Sequence, residues 1–462
     1  MTFLCYLEAV NLSHLYQDCN DLSTSRGGGL AVLSLGQDAA QWLNADGLHA
    51  TVVSQGASQG LLRVEAADEE RIRGLLRRCL RDDELLRYAT VAIGTLPEEP
   101  GALPRQRAQL QAMARWQQMT SPAVVYPPLR GRSVCRTDGL RPAPEGEESP
   151  FTRLRRDHGR RKKHDLLREI LGEEAGSFEV VQHIQELAAG GDRFGNLKEK
   201  IAVLHFDGNS FGSQSASRQT PEALSEFSEG VIRQQKAFFK DLVNSGGAEW
   251  WSNLEGVRKL RLEIVLFGGD EIAFLTPAWL GWSSLVHFYD YLKRHPPVRG
   301  AELTYSAGLV FCHQKAPIHP IKVLAHDLSD QAKARGQGKG NFVCYQSLES
   351  FDNVGQDLDE YLDRLYRFTG GTGVRLSAEQ AALLEQHMPA WRGALSKRKL
   401  FRLARQAGWG ESPEKITKES LAESADALDA ASAQALDCLL SGLGAAAVLH
   451  LAELWDYAGG AR

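Results

Sequence analysis

Leu262-Glu263-Ile264-Val265-Leu266-Phe267-Gly268-Gly269-Asp270-Glu271-Ile272-Ala273-Phe274-Leu275 reads as a chain that runs out, turns and comes back. Both arms are apolar, β-branched and aromatic, as buried strands are, and Gly268-Gly269 stands where the backbone must reverse. The turn brings two acids, Asp270 and Glu271, to its tip. Upstream, Ile201-Ala202-Val203-Leu204-His205-Phe206 is a second apolar strand, and it ends on Asp207-Gly208-Asn209-Ser210-Phe211-Gly212. A carboxylate at the end of a buried strand is costly unless it is paired or bound to a cation.

The surrounding pattern orders these strands. Residues 221–244 form a long amphipathic helix, with Thr220 as N-cap and Pro221 in the first position. The arms at 259–267 and 271–275 follow. After them come a helix at 279–293, a strand at 303–312, a helix at 320–335 and a strand at 342–345. The order opens as β-α-β-β-α-β, the split ferredoxin-like unit. In that unit the first strand neighbours the hairpin, which sets Asp207 beside Asp270 and Glu271. The N-terminus repeats the order. Strands at 3–9, 48–54, 60–66 and 88–93 alternate with helices at 29–43, after a glycine-rich start, and at 68–80. Its hairpin, Ser54-Gln55-Gly56-Ala57-Ser58-Gln59, carries no acid. The expected class is therefore α+β, with two ferredoxin-like palm domains and a helical C-terminal domain. Residues 1–118 read as a degenerate palm, 119–198 as a connector, 199–350 as the catalytic palm and 351–462 as helices. Leu383, Leu384, Trp391, Leu395, Leu400 and Leu403 recur there at helical spacing.

Three clustered carboxylates repel one another and call for a divalent cation. Oxygen donors of this kind suit Mg²⁺ or Mn²⁺, in a two-metal arrangement where substrate phosphates supply further ligands. Asp207, Asp270 and Glu271 are the expected catalytic residues, and Asp207, Gly208, Asp270 and Glu271 the expected metal ligands. Gly208, Asn209, Ser210, Phe211, Gly268, Gly269 and Lys333 are expected to bind nucleotide. The glycines let backbone approach a triphosphate, and Lys333, near a helix end, can neutralise the β- and γ-phosphates. Gly27-Gly28-Gly29 fits either a phosphate at a helix start or tight backbone packing. His326-Asp327 and His164-Asp165 are pairs of the type found in metal phosphohydrolases, but neither has room for the helical bundle those enzymes need.

The 462 residues are 43% apolar and 24% charged, as in a soluble protein, and the formal charge of -5 excludes a general polyanion binder. One local exception is basic: Arg153, Arg155, Arg156, Arg160, Arg161, Lys162 and Lys163. It reads equally as a solvated linker running into a helix, or as a phosphate-backbone contact through Arg155, Arg156, Arg160 and Arg161. The seven cysteines are scattered, with no Cys-x-x-Cys pair, as expected for buried thiols in a reducing compartment. No leader sequence and no apolar run near the ~20 residues of a membrane span is present, so a cytoplasmic protein with no membrane contact is expected.

Together these motifs resemble the large polymerase-cyclase subunit of type III CRISPR effector complexes, a relative of GGDEF-type cyclases. The resemblance rests on Asp207-Gly208-Asn209 with Phe211-Gly212, on Phe267 through Glu271, and on Tyr305-Ser306-Ala307-Gly308-Leu309-Val310. Lys315-Ala316-Pro317-Ile318, Ala332-Lys333 and Asn341-Phe342-Val343 extend it. It implies assembly with guide RNA and other effector subunits, and target-RNA-triggered synthesis of a nucleotide second messenger, commonly cyclic oligoadenylate from ATP. This sequence departs from the family's pattern in three places. The hairpin ends Asp270-Glu271 where two aspartates are usual. The connector's zinc-binding cysteines are reduced to Cys135, so no zinc is expected. The first strand starts at Phe3 with no nuclease domain before it, so DNA cleavage is not expected. Two alternatives stay open: a catalytically silent palm scaffold that binds RNA and effector subunits, and a stand-alone diguanylate-type cyclase, which fits the hairpin but not the duplicated palm and helical tail.

Overall fold

The computed structural model describes the chain apart from residues 11, 13–14, 16–17, 20, 57, 121–132, 174–177, 190–191, 255, 296–297, 299, 349–356, 366–373, 409–427, 445 and 461–462. Pro122, Pro127 and Pro128 of the expected connector lie outside the described residues.

The N-terminal unit runs β1 (Thr2–Val10), α1 (Leu22–Leu33), α2 (Leu35–Ala45), β2 (His49–Gln55), β3 (Gln59–Glu65), α3 (Glu69–Asp82) and β4 (Thr90–Pro97). Its sheet has the order β2-β3-β1-β4 with antiparallel neighbours, the ferredoxin-like arrangement. The single helix expected at 29–43 is two helices. Asp21 caps the first, its carboxylate accepting from Thr24 N at 2.8 Å, so Gly27-Gly28-Gly29 lies inside α1 and not at a helix start. A Cβ on Gly27 would come within 1.8 Å of the Arg155 carbonyl oxygen, and one on Gly159 within 2.1 Å of the Ser23 oxygen. The glycines therefore serve backbone-to-backbone helix packing. Helix α4 (Leu103–Thr120) is not among the helices expected from the sequence. Its apolar signal is thin, since only Leu103, Gln106, Leu110 and Ala114 are buried among arginines and glutamines.

Within the expected connector, α5 (Pro150–Leu171) is a regular helix, capped by Ser149 and started by Pro150. It carries the whole basic run, and its 3.6-residue repeat puts Arg155, Gly159 and Lys163 on one face. That face is buried, and this corrects the expectation of a basic surface. Arg155 is fully buried, with Nη1 on Asp18 Oδ1 at 2.8 Å. Arg156 pairs with Glu148 and lies 3.3 Å from Asp21 Oδ2. Arg160, Arg161 and Lys162 remain exposed. Arg155 and Arg156 are thus held by the protein's own carboxylates and are not presented to a nucleic acid.

The second palm runs β5 (Lys200–Gly208), α6 (Phe211–Ala216), α7 (Pro221–Ser245), β6 (Glu263–Gly268), β7 (Glu271–Pro277), α8 (Ala278–Arg294), β8 (Tyr305–His313), α9 (Ile318–Arg335) and β9 (Phe342–Ser347). Its sheet has the order β6-β7-β5-β8-β9, edged by the two-residue β10 (Leu376–Ser377). The arm expected at 259–267 is broken: Val257–Leu260 pairs with Trp251–Leu254 in a separate small sheet, and the palm strand begins at Glu263. Both pieces read as strand, although Arg258 and Lys259 make the first more polar than the second, so only the partner strands reveal the break. The C-terminal helices α10 (Leu358–Leu365), α11 (Ala378–Ala394), α12 (Lys397–Gly408), α13 (Ala430–Leu443) and α14 (Ala446–Glu453) are the helices expected there. They are not a detached bundle, because Trp391, Leu400, Leu439 and Leu451 share one buried cluster with Trp282 and Tyr345 of the palm. Trp282 Nε1 donates to Ala381 O at 3.3 Å.

Candidate active site

Asp207 ends β5 opposite Glu271 of β7 on one side and Ser306 of β8 on the other. Gly208 N donates to Asp270 O at 2.8 Å, which ties the strand end to the hairpin. Gly268 and Gly269 make that turn with φ of 121° and 62°, a region open to glycine. Gly208 is required for a different reason: a Cβ there would lie 2.4 Å from the Phe211 ring. From the last turn of α9, Lys333 Nζ reaches Asp207 Oδ2 at 2.6 Å and Gly208 O at 3.2 Å. Strand order places Asp207 beside the hairpin, and the structure adds Lys333 to that group.

The other expected nucleotide-binding residues divide. Asn209 is buried, donating to Gly340 O at 2.8 Å and Thr304 Oγ1 at 3.2 Å, and accepting from Ser306 Oγ at 3.0 Å. Its amide is spent on holding strand ends together, which corrects the expectation that it contacts nucleotide. Ser210 is exposed in a left-handed turn with φ of 59°. Phe211 packs edge-on to Tyr305, with ring centroids 5.4 Å apart.

Phe211, Gly212, Gly269 and Asp270 form one wall of a cleft with about 900 Å³ of open space. The opposite wall belongs to the first palm and includes Tyr6, Gln55, Gly56 and Arg107. No motif singles these residues out, because the first hairpin has no acid. Docking places them: Gln55 N donates to Ser228 Oγ of α7 at 3.2 Å, and Arg107 donates to the Ser215 carbonyl and hydroxyl, each at 2.8 Å. Arg107 is the cationic group of that wall.

The acids do not all face one point. Asp270 lines the interdomain cleft. Glu271 shares the α9 face of the sheet with Asp207 and His205, since Asp207 pairs with Glu271 and His205 with Ala273 across the strands. Among the described residues, the sets of ligand atoms lying within 4.8 Å of one another are His205–Glu271–His326 and His326–Asp327–Asp330, and neither contains Asp207 or Asp270. Burial, and then the nearby Asp207, raise the Asp270 carboxyl above the usual carboxylate range. Burial and the Asp270 charge raise Glu271 to about 6. Burial, helped by His326, lowers His205 to about 3.

The Glu271 shift sets a pH dependence. A carboxyl raised in the folded state contributes stability that is complete below its ordinary pKa of 4.5 and lost as pH rises through about 6. With no divalent ion present, the charged side chain therefore costs about 2 kcal/mol at neutral pH. In chelator, Glu271→Gln is expected to unfold at higher denaturant than the wild type near about pH 8, and to match it near about pH 4. Equal midpoints at both pH values would show that Glu271 is not electrostatically strained.

Residues 200–343 match the family model described as Cas10/Cmr2, second palm domain. No curated protein matches the sequence. Solved structures share the fold at low identity. A Csm1–Csm4 cassette in complex with AMPPNP aligns with a TM-score of 0.54 and 13% identity over 90% of this chain. The cassette in complex with pppApApA gives 0.55 and 14% over 99% of this chain and 69% of the other, and that with cA4 gives 0.53 and 14% over 91% and 64%. The chain spans 64% of the length of the chain it matches in the AMPPNP complex. Residues 200–343 thus match a second palm domain of the Cas10/Cmr2 type, in a chain that shares the α+β fold of Csm1.

Proposed function

We propose that this chain is a metal-dependent nucleotidyltransferase that makes an oligoadenylate-type second messenger from ATP within an RNA-guided type III effector complex. Residues 199–350 are its catalytic palm, and residues 1–118 supply the opposite wall of the nucleotide cleft. The observation that carries the reading is the Lys333 ammonium seated between the Asp207 carboxylate and the Gly208 carbonyl, beside Asp270. These oxygens already accept one cationic group, and hard oxygen donors next to a second carboxylate support Mg²⁺ or Mn²⁺. Asp207, the Gly208 carbonyl and Asp270 would hold the ions, with Glu271 beside them. The ions, when bound, neutralise phosphate charge and acidify the attacking hydroxyl.

The chain's own residues provide the rest. Gly268 and Gly269 keep the hairpin free of side chains on the approach to phosphate. Lys333 can exchange its hold on Asp207 for a phosphate oxygen once that carboxylate takes a metal. Arg107 places a second positive charge across the cleft from Asp270. Phe211 and Tyr6 offer ring surface to a base. The complexes of Csm1–Csm4 with AMPPNP, pppApApA and cA4 support adenine nucleotides as the substrate class. The separation of Glu271 from Asp270 favours, as a second reading, a silent scaffold that binds nucleotide without turnover.

Incubating the full chain with each nucleoside triphosphate and Mg²⁺ or Mn²⁺, with and without effector subunits, guide and target RNA, and resolving products by mass, decides between them. Adenylate oligomers with pyrophosphate release support the enzyme; nucleotide binding with no product under any combination supports the scaffold. Lys333→Ala is expected to raise KM about tenfold with little change in kcat, because its charge acts on ground-state and transition-state phosphates alike. An unchanged KM would place the triphosphate elsewhere.

A further inference from the structure

On the α9 side of the palm sheet, away from the interdomain cleft, β5 and β7 present His205 and Glu271 toward His326 of α9. A ring nitrogen of each histidine and a Glu271 carboxylate oxygen lie within 4.8 Å of one another. The two imidazoles stand 4.9 Å apart, tilted at 60°. His205 is 7% exposed, and its Nε2 is buried with no hydrogen-bond partner. An orphaned imidazole nitrogen is costly inside a protein, and it needs a donor, a water or a metal. The group opens into a space of about 970 Å³ lined also by Val265, His319 and Lys322, so an ion has a way in. His319 stands two turns before His326 on α9, about 10 Å along the axis, too far to join the same ion.

We propose that His205, Glu271 and His326 form a second metal site, distinct from the Asp207–Asp270 centre and selective for an imidazole-seeking divalent ion such as Zn²⁺. Two nitrogens and one carboxylate are a donor set that Zn²⁺ prefers and Mg²⁺ does not. Tetrahedral ligands at about 2.1 Å from the ion stand about 3.4 Å apart, so closure needs movements of about 1 Å. His326, half-exposed on a helix, can make them by side-chain rotation. Asp327 and Asp330 carboxylates lie 3.5 and 3.6 Å from His326 Nδ1 and can orient the ring as supporting carboxylates do. The expectation of no zinc concerned the missing connector cysteines and has no bearing on this cluster. Because Glu271 belongs to both groups, an ion here withdraws one carboxylate from the acid centre.

Metal binding tests the site whether or not the chain turns over nucleotide. The metal-free full chain, carrying Cys438→Ser because that thiol is exposed, is titrated with Co²⁺. Visible bands of a low-coordinate site should appear, saturate at a single ion per chain, and be displaced by Zn²⁺ but not by excess Mg²⁺. His326→Ala, at an exposed helix position, should weaken Co²⁺ binding about a hundredfold or more. Asp207→Ala should leave the bands in place. The proposal is overturned if the parent chain shows no such bands, if His326→Ala keeps them, or if Asp207→Ala loses them, since the ion would then sit among the acids.

Discussion

Asp270→Asn is expected to bring nucleotide conversion to about a thousandth of the parent rate or below, the scale of losing a group that stabilises transition-state charge. The same variant should unfold no more easily than the parent. The parent carboxyl is half-buried, repelled by Asp207 and raised above the usual carboxylate range, so its charge opposes folding. The asparagine keeps the shape and removes that charge, and the backbone bond from Gly208 to the residue 270 carbonyl is unaffected. Loss of stability and loss of turnover therefore separate here, and a denaturant titration run beside the product assay reads both. Undiminished turnover in the purified variant would show that Asp270 takes no part in the chemistry.

Glu263→Gln is expected to have the largest effect on stability, about 3 to 5 kcal/mol, because it removes the only anion of a buried charge triad. Arg26 Nε lies 2.5 Å from Glu263 Oε1, and Lys163 is bonded to Oε2, all three side chains being at most 3% exposed. Burial alone would raise the Glu263 carboxyl, but Arg26 and Lys163 outweigh it and hold it below the usual carboxylate range. The triad joins α1 of the first palm, α5 and β6 of the second. Its loss leaves two buried cations facing each other at the junction that sets the cleft. We expect a lower unfolding midpoint and increased proteolysis between the palms. Replacing Glu263 and Lys163 together by Gln and Met should recover part of the loss, since an apolar partner removes one unpaired charge. A Glu263→Gln midpoint within about 0.5 kcal/mol of the parent would show that the triad contributes nothing net.

Strand order and the acidic hairpin were legible in the residues because both are local. Period and turn chemistry define β5, β6 and β7, and the ferredoxin-like connection then makes β5 the neighbour of the hairpin, so Asp207 arrives beside the hairpin acids without any knowledge of packing. Lys333 was legible only as a lysine near a helix end, and the fold set its contact with Asp207. Less was legible where the pattern was weak or where a partner decided the outcome. The helix α4 hides because few of its positions are apolar, and the break before Glu263 hides because both halves of the run form strand and only their partners differ. In the basic run, sequence offered exposure and phosphate contact as equal readings. Arg155 took neither, because Asp18, far off in the chain, meets it inside the protein.

By itself, then, the sequence determined the α+β class, the duplicated strand order and the placing of Asp207 beside the acidic hairpin, all consequences of hydrophobic period, turn residues and the short-range rules of strand connection. Only the tertiary structure decided which groups share a space. It turned Asp270 toward the first palm and Glu271 toward two histidines, although the two acids are adjacent, because successive residues at a strand end point to opposite sides. It spent Asn209 on the strand ends and Arg155 on Asp18, and it brought Arg107 and Gln55 to the cleft from the palm whose hairpin carries no acid. Those outcomes depend on side chains distant in sequence competing for the same buried partners, and no local pattern records that competition.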